Sequence, residues 1–409
     1  MADVDPISEL ERTLAGYPQE RYPLRHAAAQ LHLGVLLTNA GRLDEATVAL
    51  GVALSLFEPH RYPVEHAKAL VTLGATLRGA GRAEEAASRF QSAADLFRRA
   101  HLDLEEGAAL FNLGLVETET GEHDRAVQCF TRARELLDEK RVPAQAAAAT
   151  RELGGALLLL GRPEDAGSIL TQAIVIAERA EDISGKGAAA NALGLALLAT
   201  GRTPEAIEAF ETAVGASPRR VRPEGYAIAR CNLALAYLRQ GRAERAGLCA
   251  RQAAAVPGAP AAVVGQASAI LADPQSRPRG DLLSVLDDEP VEMWLRIIGE
   301  DLMRWTDLGA SERRAEASTW FDGLPDRPAA EGDLAEALLG ALLELPPDEL
   351  AAVTRSLLEA LDQRGDDDKE RFASATSRAM ARFPIPQWTR LRATFSGIGA
   401  EIGQGELWK

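Results

Sequence analysis

Apolar positions along the first 257 residues recur on two nested spacings. The shorter one is helical. Ala27, Leu31, Leu33, Gly34 and Leu37 fall on one side of a helix running to about Asn39, and Ala46, Leu50, Ala53 and Phe57 form a stripe on the next. Gly41 between them is a helix stop, because glycine adopts the left-handed backbone at little cost. Asp44 and Glu45 put carboxylates at the positive end of the following helix. The longer spacing is 40 residues: Leu33-Gly34, Leu73-Gly74, Leu113-Gly114, Leu153-Gly154, Leu193-Gly194 and Leu233-Ala234. A second glycine follows each time, at Gly41, Gly81, Gly121, Gly161, Gly201 and Gly241, and then an alanine, at Ala46, Ala86, Ala126, Ala166, Ala206 and Ala246. Three registers held in step over six copies define an internal repeat of two helices, which cannot bury its apolar face alone and must stack. The short residues at Gly34 and Ala46 mark where two helices cross closely.

The pattern predicts half a repeat at residues 1–26, where Leu10 and Leu14 belong to a leading helix and Arg21-Tyr22-Pro23 with His26 returns as Arg61-Tyr62-Pro63 with His66. Six repeats occupy 27–257. The period then fails. Residues 260–272 predict one capping helix, and the Pro, Ser, Gly and Arg of 274–280 predict a linker, so that 258–280 joins two domains. From 281 to 409 the spacing is again helical, over 291–308, 311–321, 333–345, 347–363, 367–383 and 388–402. Trp294, Leu295, Ile298, Leu302 and Trp305 are expected to form core there; Trp408 is free to dock back or to anchor a partner. No alternating run predicts a strand. The fold class is all-α.

Composition sharpens this in three ways. Apolar content of 46% and charged content of 26% are those of a globular protein, and no apolar run is long enough to span a bilayer. The acidic opening MADVDPISELERTL lacks the order of a secretory signal, and three sparse cysteines (Cys129, Cys231, Cys249) fit buried thiols in a reducing cytoplasm. A cytoplasmic location follows as an expectation, and the scarcity of lysine beside abundant alanine points to a high-GC bacterial genome. The net charge of −15 speaks against nucleic acid, whose binding needs a basic face. Residues 281–409 hold 26 acidic and 14 basic residues, a net of −12, so the C-terminal domain carries most of the negative field.

The repeat resembles the tetratricopeptide repeat family over about residues 5–257. The family's small residue matches Gly34, Gly74, Gly114, Gly154, Gly194 and Ala234, and its alanine twelve residues later matches the series Ala46 to Ala246. The period of 40 is that of long-linker members, and leucine (Leu37, Leu77, Leu157, Leu197) replaces the family's aromatic until Tyr237. HEAT-type repeats share the length without this small-residue register. The resemblance implies a right-handed α-solenoid whose first helices line a concave groove for a peptide or protein partner. Carried over by position, that groove shows Leu31, Val35, Val71, Phe111, Leu115, Arg151, Leu158, Asn191, Leu195, Leu235 and Leu238, with Arg78, Glu119 and Arg239 at its margin. Such a lining suits an extended or helical peptide with hydrophobic anchors. Packing of the chain's own C-terminal domain into the groove is the competing reading. The basic and amide positions that clamp a terminal carboxylate in some members are replaced by Val35, Ala75, Leu115, Gly155, Leu195 and Leu235, against chaperone-tail binding.

Catalytic and metal chemistry find little support. The six histidines lack zinc-ligand spacing, and His26 and His66 share one repeat position, which repetition itself explains. No histidine follows His123 and no cysteine follows Cys249, so residues 281–409 hold neither a Cys–His nor a Ser–His pair. Carboxylate-only catalysis would have Asp287, Asp288, Glu289 and the run Asp366 to Asp368 at its disposal, residues that also serve as solvated helix starts. The resulting expectation is a non-catalytic scaffold or adaptor without cofactor or metal, binding a protein or peptide. Its alternatives are a ligand- or peptide-responsive switch and an unfamiliar enzyme with a site where the C-terminal domain meets the groove.

Overall fold

A computed structural model describes residues 6–272 and 282–408. The expected linker at 274–280 lies outside the described residues. Among these the chain is all-α, and it divides into two compact units, Met1–Ala216 and Ser217–Lys409.

In the first unit a leading helix α1 (Pro6–Gly16) is followed by five helix pairs. The first helices are α2 (Pro23–Asn39), α4 (Pro63–Gly79), α6 (Asp103–Glu119), α8 (Pro143–Leu159) and α10 (Ile183–Ala199), each of 17 residues. Their partners are α3 (Leu43–Leu56), α5 (Ala83–Arg99), α7 (His123–Leu136), α9 (Pro163–Arg179) and α11 (Thr203–Ala216). The helix pairs expected from periodicity are present, and the leading helix places Ile7, Leu10 and Leu14 against Leu33, Leu37 and Ala46 of the first pair. The glycine closing each first helix has φ between 73° and 82° at Gly41, Gly81, Gly121, Gly161 and Gly201, the left-handed region that an L side chain resists.

Second helices alternate in length: α3, α7 and α11 have 14 residues, α5 and α9 have 17. The loops compensate. Six-residue loops at 57–62 and 137–142 follow the short helices and end on Pro63 and Pro143, which open the next helix with the φ it needs. Three-residue loops at 100–102 and 180–182 follow the long ones and turn on His101 and Glu181 in the left-handed conformation, φ 55° and 53°. Every repeat keeps its period because helix and loop trade three residues.

Packing inside a repeat is a size match across the helix crossing. A methyl group on Gly114 would lie 2.7 Å from Phe130 Cε1, and one on Gly74 would lie 2.9 Å from Phe90. Leu50 and Leu170 fill the same role against Gly34 and Gly154, and Phe210 against Gly194. Where the small residue becomes Ala234, its counterpart becomes Ala250, and both are fully buried. Within this unit α3, α5, α7 and α9 also pack on the first helix that follows, α4, α6, α8 and α10. Successive first helices touch one another while successive second helices make no comparable contact among the described residues, so the first-helix side is the inner side of this unit's curvature.

The second unit opens with the sixth pair, α12 (Pro223–Arg239) and α13 (Ala243–Ala254), followed by the expected capping helix α14 (Ala261–Leu271). Then come α15 (Leu282–Asp287), α16 (Val291–Trp305), α17 (Ala310–Gly323), a 3₁₀ turn (Leu324–Asp326), α18 (Glu331–Leu343), α19 (Pro347–Asp362), α20 (Asp366–Met380) and α21 (Ile385–Glu401). One core joins them, built on Ile297, Ile298, Leu302, Trp305, Leu342, Leu357 and Phe395. Leu295 is not in it: at 41% exposed it lies across Gly340 on the surface, because the helix face carrying Trp294, Ile298 and Trp305 leaves it one step outside. Trp408 docks back. Its ring packs on Phe372 and Phe395 over Gly399, where a methyl group would lie 2.6 Å from Trp408 Cδ1. Asp301 is buried, and Arg304 grips it with Nε and Nη2 at 2.8 and 3.0 Å while Trp305 donates from Nε1 at 3.0 Å.

Candidate functional site

The face that could meet a partner is built from three positions per first helix, spaced i, i+4 and i+7 so that they share one side. The first holds Leu31, Val71, Phe111, Arg151 and Asn191, all half-buried. The second holds Val35, Ala75, Leu115, Gly155 and Leu195, with Val35 and Leu195 each 38% exposed. The third holds Thr38, Arg78, Thr118, Leu158 and the buried Leu198. Because these helices form the inner side of the curvature, their side chains make a shared apolar strip along the first unit. Leu159, 57% exposed, extends it and was absent from the positional reading, since it lies one residue beyond Leu158 on the helix rim. Leu235 and Leu238 occupy the second and third of these positions in α12 of the second unit, both half-buried, and Arg239, one residue further on, is exposed.

The support beneath this strip is closely packed. Phe111 meets Phe130 edge to face with centroids 5.8 Å apart, and Phe130 in turn seats on Gly114. The charges along it are largely self-neutralised. Arg78 Nε donates to both oxygens of Glu119 at 2.9 and 3.1 Å, linking the second and third repeats, and Arg151 pairs with its neighbour Glu152. Both pairs are partly exposed and each contributes less than about 1 kcal/mol to stability. A separate open cleft of about 420 Å³ lies between α9 and α10 beside Gly167 and Leu193.

Two of the six histidines serve the backbone. His26 Nδ1 and His66 Nδ1 donate to the carbonyls of Tyr17 and Phe57, at 2.9 and 2.6 Å, closing the six-residue loops. Among the described residues no cluster of three or more His, Cys, Asp or Glu is placed to hold a metal. Burial pushes the Cys129 and Cys231 thiols up to about 11. The acidic residues open to catalysis are held elsewhere: Asp287 pairs with Arg327, Glu289 with Arg242, and Asp366 to Asp368 form the first turn of α20.

The sequence profile of the tetratricopeptide repeat matches residues 65–139 and 145–219, and a second profile of the same repeat matches 191–260. Over these residues the chain is a tetratricopeptide repeat protein. Its first helix pair lies ahead of the matched residues and joins them by register alone. Solved structures with a similar fold include the apo form of RapI (15% identity, 59% of this chain and 86% of that one, TM-score 0.46). A tetratricopeptide repeat protein of Parabacteroides merdae is similar at 17% identity over 65% of this chain and 91% of that one, TM-score 0.45. Pseudomonas aeruginosa pilF is similar at 16% identity over 55% and 89%, TM-score 0.43. No curated protein matches the chain. No described helix is long and apolar enough to cross a membrane. Tetratricopeptide repeats support a protein-interaction scaffold in general terms.

Proposed function

We propose that this tetratricopeptide repeat protein is a non-catalytic adaptor that holds a peptide or protein segment on the inner face of its first helices. The observation that carries this reading is the row of partly exposed apolar side chains along the inner side of the first helices, from Leu31 and Val35 through Phe111 and Leu115 to Leu158, Leu159 and Leu195. A water-facing apolar row on a rigid scaffold loses free energy until something covers it. With Arg78 and Arg151 already paired, the segment it fits carries aliphatic or aromatic anchors at helical or extended spacing and no clustered charge. The free cysteines suit a reducing, cytoplasmic setting.

The test is a displayed random-peptide selection on the full chain, scored against two variants. Val35→Asp with Leu195→Asp places charge on the inner face; Val48→Asp does the same on α3, where Val48 is well exposed. Recovery of apolar-anchored peptides that bind the parent and the Val48 variant and lose at least tenfold on the inner-face variant supports the adaptor. Peptides insensitive to the inner-face variant, or none recovered, would reject it.

A further inference from the structure

The second helices carry a position that is water-facing in five repeats and not in the sixth. Taken every 40 residues it reads Val48, Ser88, Gln128, Ser168 and Glu208, all exposed, and then Leu248, fully buried in the core of the C-terminal helices. Its neighbours change with it. Three residues earlier stand Glu45, Glu85, Arg125, Asp165 and Glu205, then Arg245 at 3% exposed; four residues later stand Val52, Ser92, Arg132, Gln172 and Thr212, then the fully buried Gln252.

Charge changes too. In four repeats the arginine that opens the second helix bonds to an acid three residues on: Arg42 to Glu45, Arg82 to Glu85, Arg162 to Asp165, Arg202 to Glu205. In the sixth both positions are arginine, two like charges at the positive end of α13, where cations are disfavoured. Their carboxylate comes from the turn between α15 and α16. Arg242 and Arg245 both face Glu289, and Tyr237, the aromatic that returns only in this repeat, lies under both guanidinium groups at 5.1 and 5.6 Å. Buried Arg230 of α12 reaches Glu300 Oε2 at 2.7 Å, with Arg245 3.9 Å from the same oxygen. Arg219 bonds Asp307 Oδ2 and the carbonyls of Gln252 and Ala255.

We infer that the sixth repeat is an internal docking platform: the face of α13 that is solvated in every other repeat seats the C-terminal helices, and Arg230 and Arg245 fix their register through Glu289 and Glu300. The seat has little apolar area, since Leu248 is its one member in that core from outside residues 282–408. Specificity therefore rests on the ion cluster, because a buried arginine without its carboxylate is strongly disfavoured. The docking face is distinct from the first-helix face, on which Leu235 is half-buried and Arg239 exposed. The C-terminal helices sit on the second-helix side of the sixth repeat, so at that repeat they do not act as a lid over the binding register.

Hydrogen exchange followed by mass spectrometry on the full chain tests this. Arg245→Glu restores the acid found at this position in four of the other five repeats, and Leu248→Ser places at the core position the serine found in two of them. Each is expected to accelerate exchange at least tenfold in both α13 and α16, with less than a twofold change in α2 to α11. Arg230→Gln and Glu300→Gln should each accelerate α16, and together should do no more than the larger of the two. If Arg245→Glu loses its helical circular dichroism, Glu300→Gln carries the same comparison. Unchanged exchange in α16 across the set, or acceleration spread evenly over all repeats, would overturn the inference.

Discussion

Gly114→Ala should destabilise the array although it improves the helix. Replacing a mid-helix glycine by alanine ordinarily gains about 1 kcal/mol. Here the new methyl would meet Phe130 Cε1 at 2.7 Å and Cδ1 and Cζ at 2.9 Å, whereas carbon atoms rest at about 3.5–4.0 Å. Phe130 is fully buried beneath Phe111, so relief means moving both rings. Overpacking of that kind costs roughly 1–3 kcal/mol, which offsets the helical gain and leaves a net loss of up to about 2 kcal/mol. Phe130→Ala alone removes a buried aromatic and should cost about 3–5 kcal/mol. In that background Gly114→Ala has nothing to strike, and the pair becomes the one present naturally as Ala234 and Ala250. The sign should therefore reverse, with Gly114→Ala stabilising the Phe130→Ala protein by up to about 1 kcal/mol. Urea unfolding by far-ultraviolet circular dichroism reads this, since the tryptophans all lie after residue 290 and are blind to the repeat. Gly51→Ala, with open space around its Cβ, is the matched control and should stabilise in either background. The same sign for Gly114→Ala with and without Phe130 would refute the size-match argument.

Other outcomes follow from the same geometry. Burial opposes the charge on Asp301, but the Arg304 and Arg251 guanidinium groups and the bonds from Arg304 and Trp305 leave its pKa below the ordinary aspartate value. A depressed folded pKa gives stability that is fully present above the unfolded value of about 3.9 and is lost as pH falls below it. Asp301→Asn should thus cost about 3–5 kcal/mol at neutral pH, with the difference from the parent shrinking in acid, as read by tryptophan-monitored unfolding from pH 7 to pH 3. Glu181→Gly relieves a left-handed backbone at the end of α9 and should raise stability by up to about 1 kcal/mol, measured by urea midpoint. Cys129 and Cys231, with thiols pushed up to about 11, should alkylate far more slowly than a free thiol at pH 8 in the folded chain and normally once unfolded, followed by mass spectrometry.

Most of the repeat architecture was legible because its signals are steric and local. Glycines at Gly41 and its equivalents fix the turns, and Gly34 and its equivalents fix the crossings, so element order and pairing follow from register alone. The alternation of second-helix length was not read, although Pro63 and Pro143 after one loop type and Asp103 and Ile183 after the other spell it out. Helix ends in the C-terminal domain shifted by one to three residues, as at α16, which stops at Trp305 where the apolar spacing runs on to Leu308. The short helix α15 was missed because six residues carry too little periodicity. Composition changes at residue 281, yet the compact unit begins at Ser217. Composition tracks where repeats stop, while packing tracks which face is buried, and Arg245, Leu248 and Gln252 hold that information only when set beside their counterparts 40 residues back. On the candidate face the rim residue Leu159 escaped because its exposure depends on helix rotation, which a positional register does not specify.

The exchange of three residues between helix and loop bears on how such a chain can grow. Short-helix and long-helix repeats have the same total length but different junctions, one closed by a proline-led loop and the other by a tight left-handed turn. A duplication or loss of one repeat brings like junctions together, as already occurs where the loops before α2 and α4 are both of the proline type. A duplication of two successive repeats, 80 residues, preserves the alternation without a new junction. Genetic exchange between the first and third helix pairs, or between the second and fourth, would therefore yield arrays of different reach that keep every crossing in register.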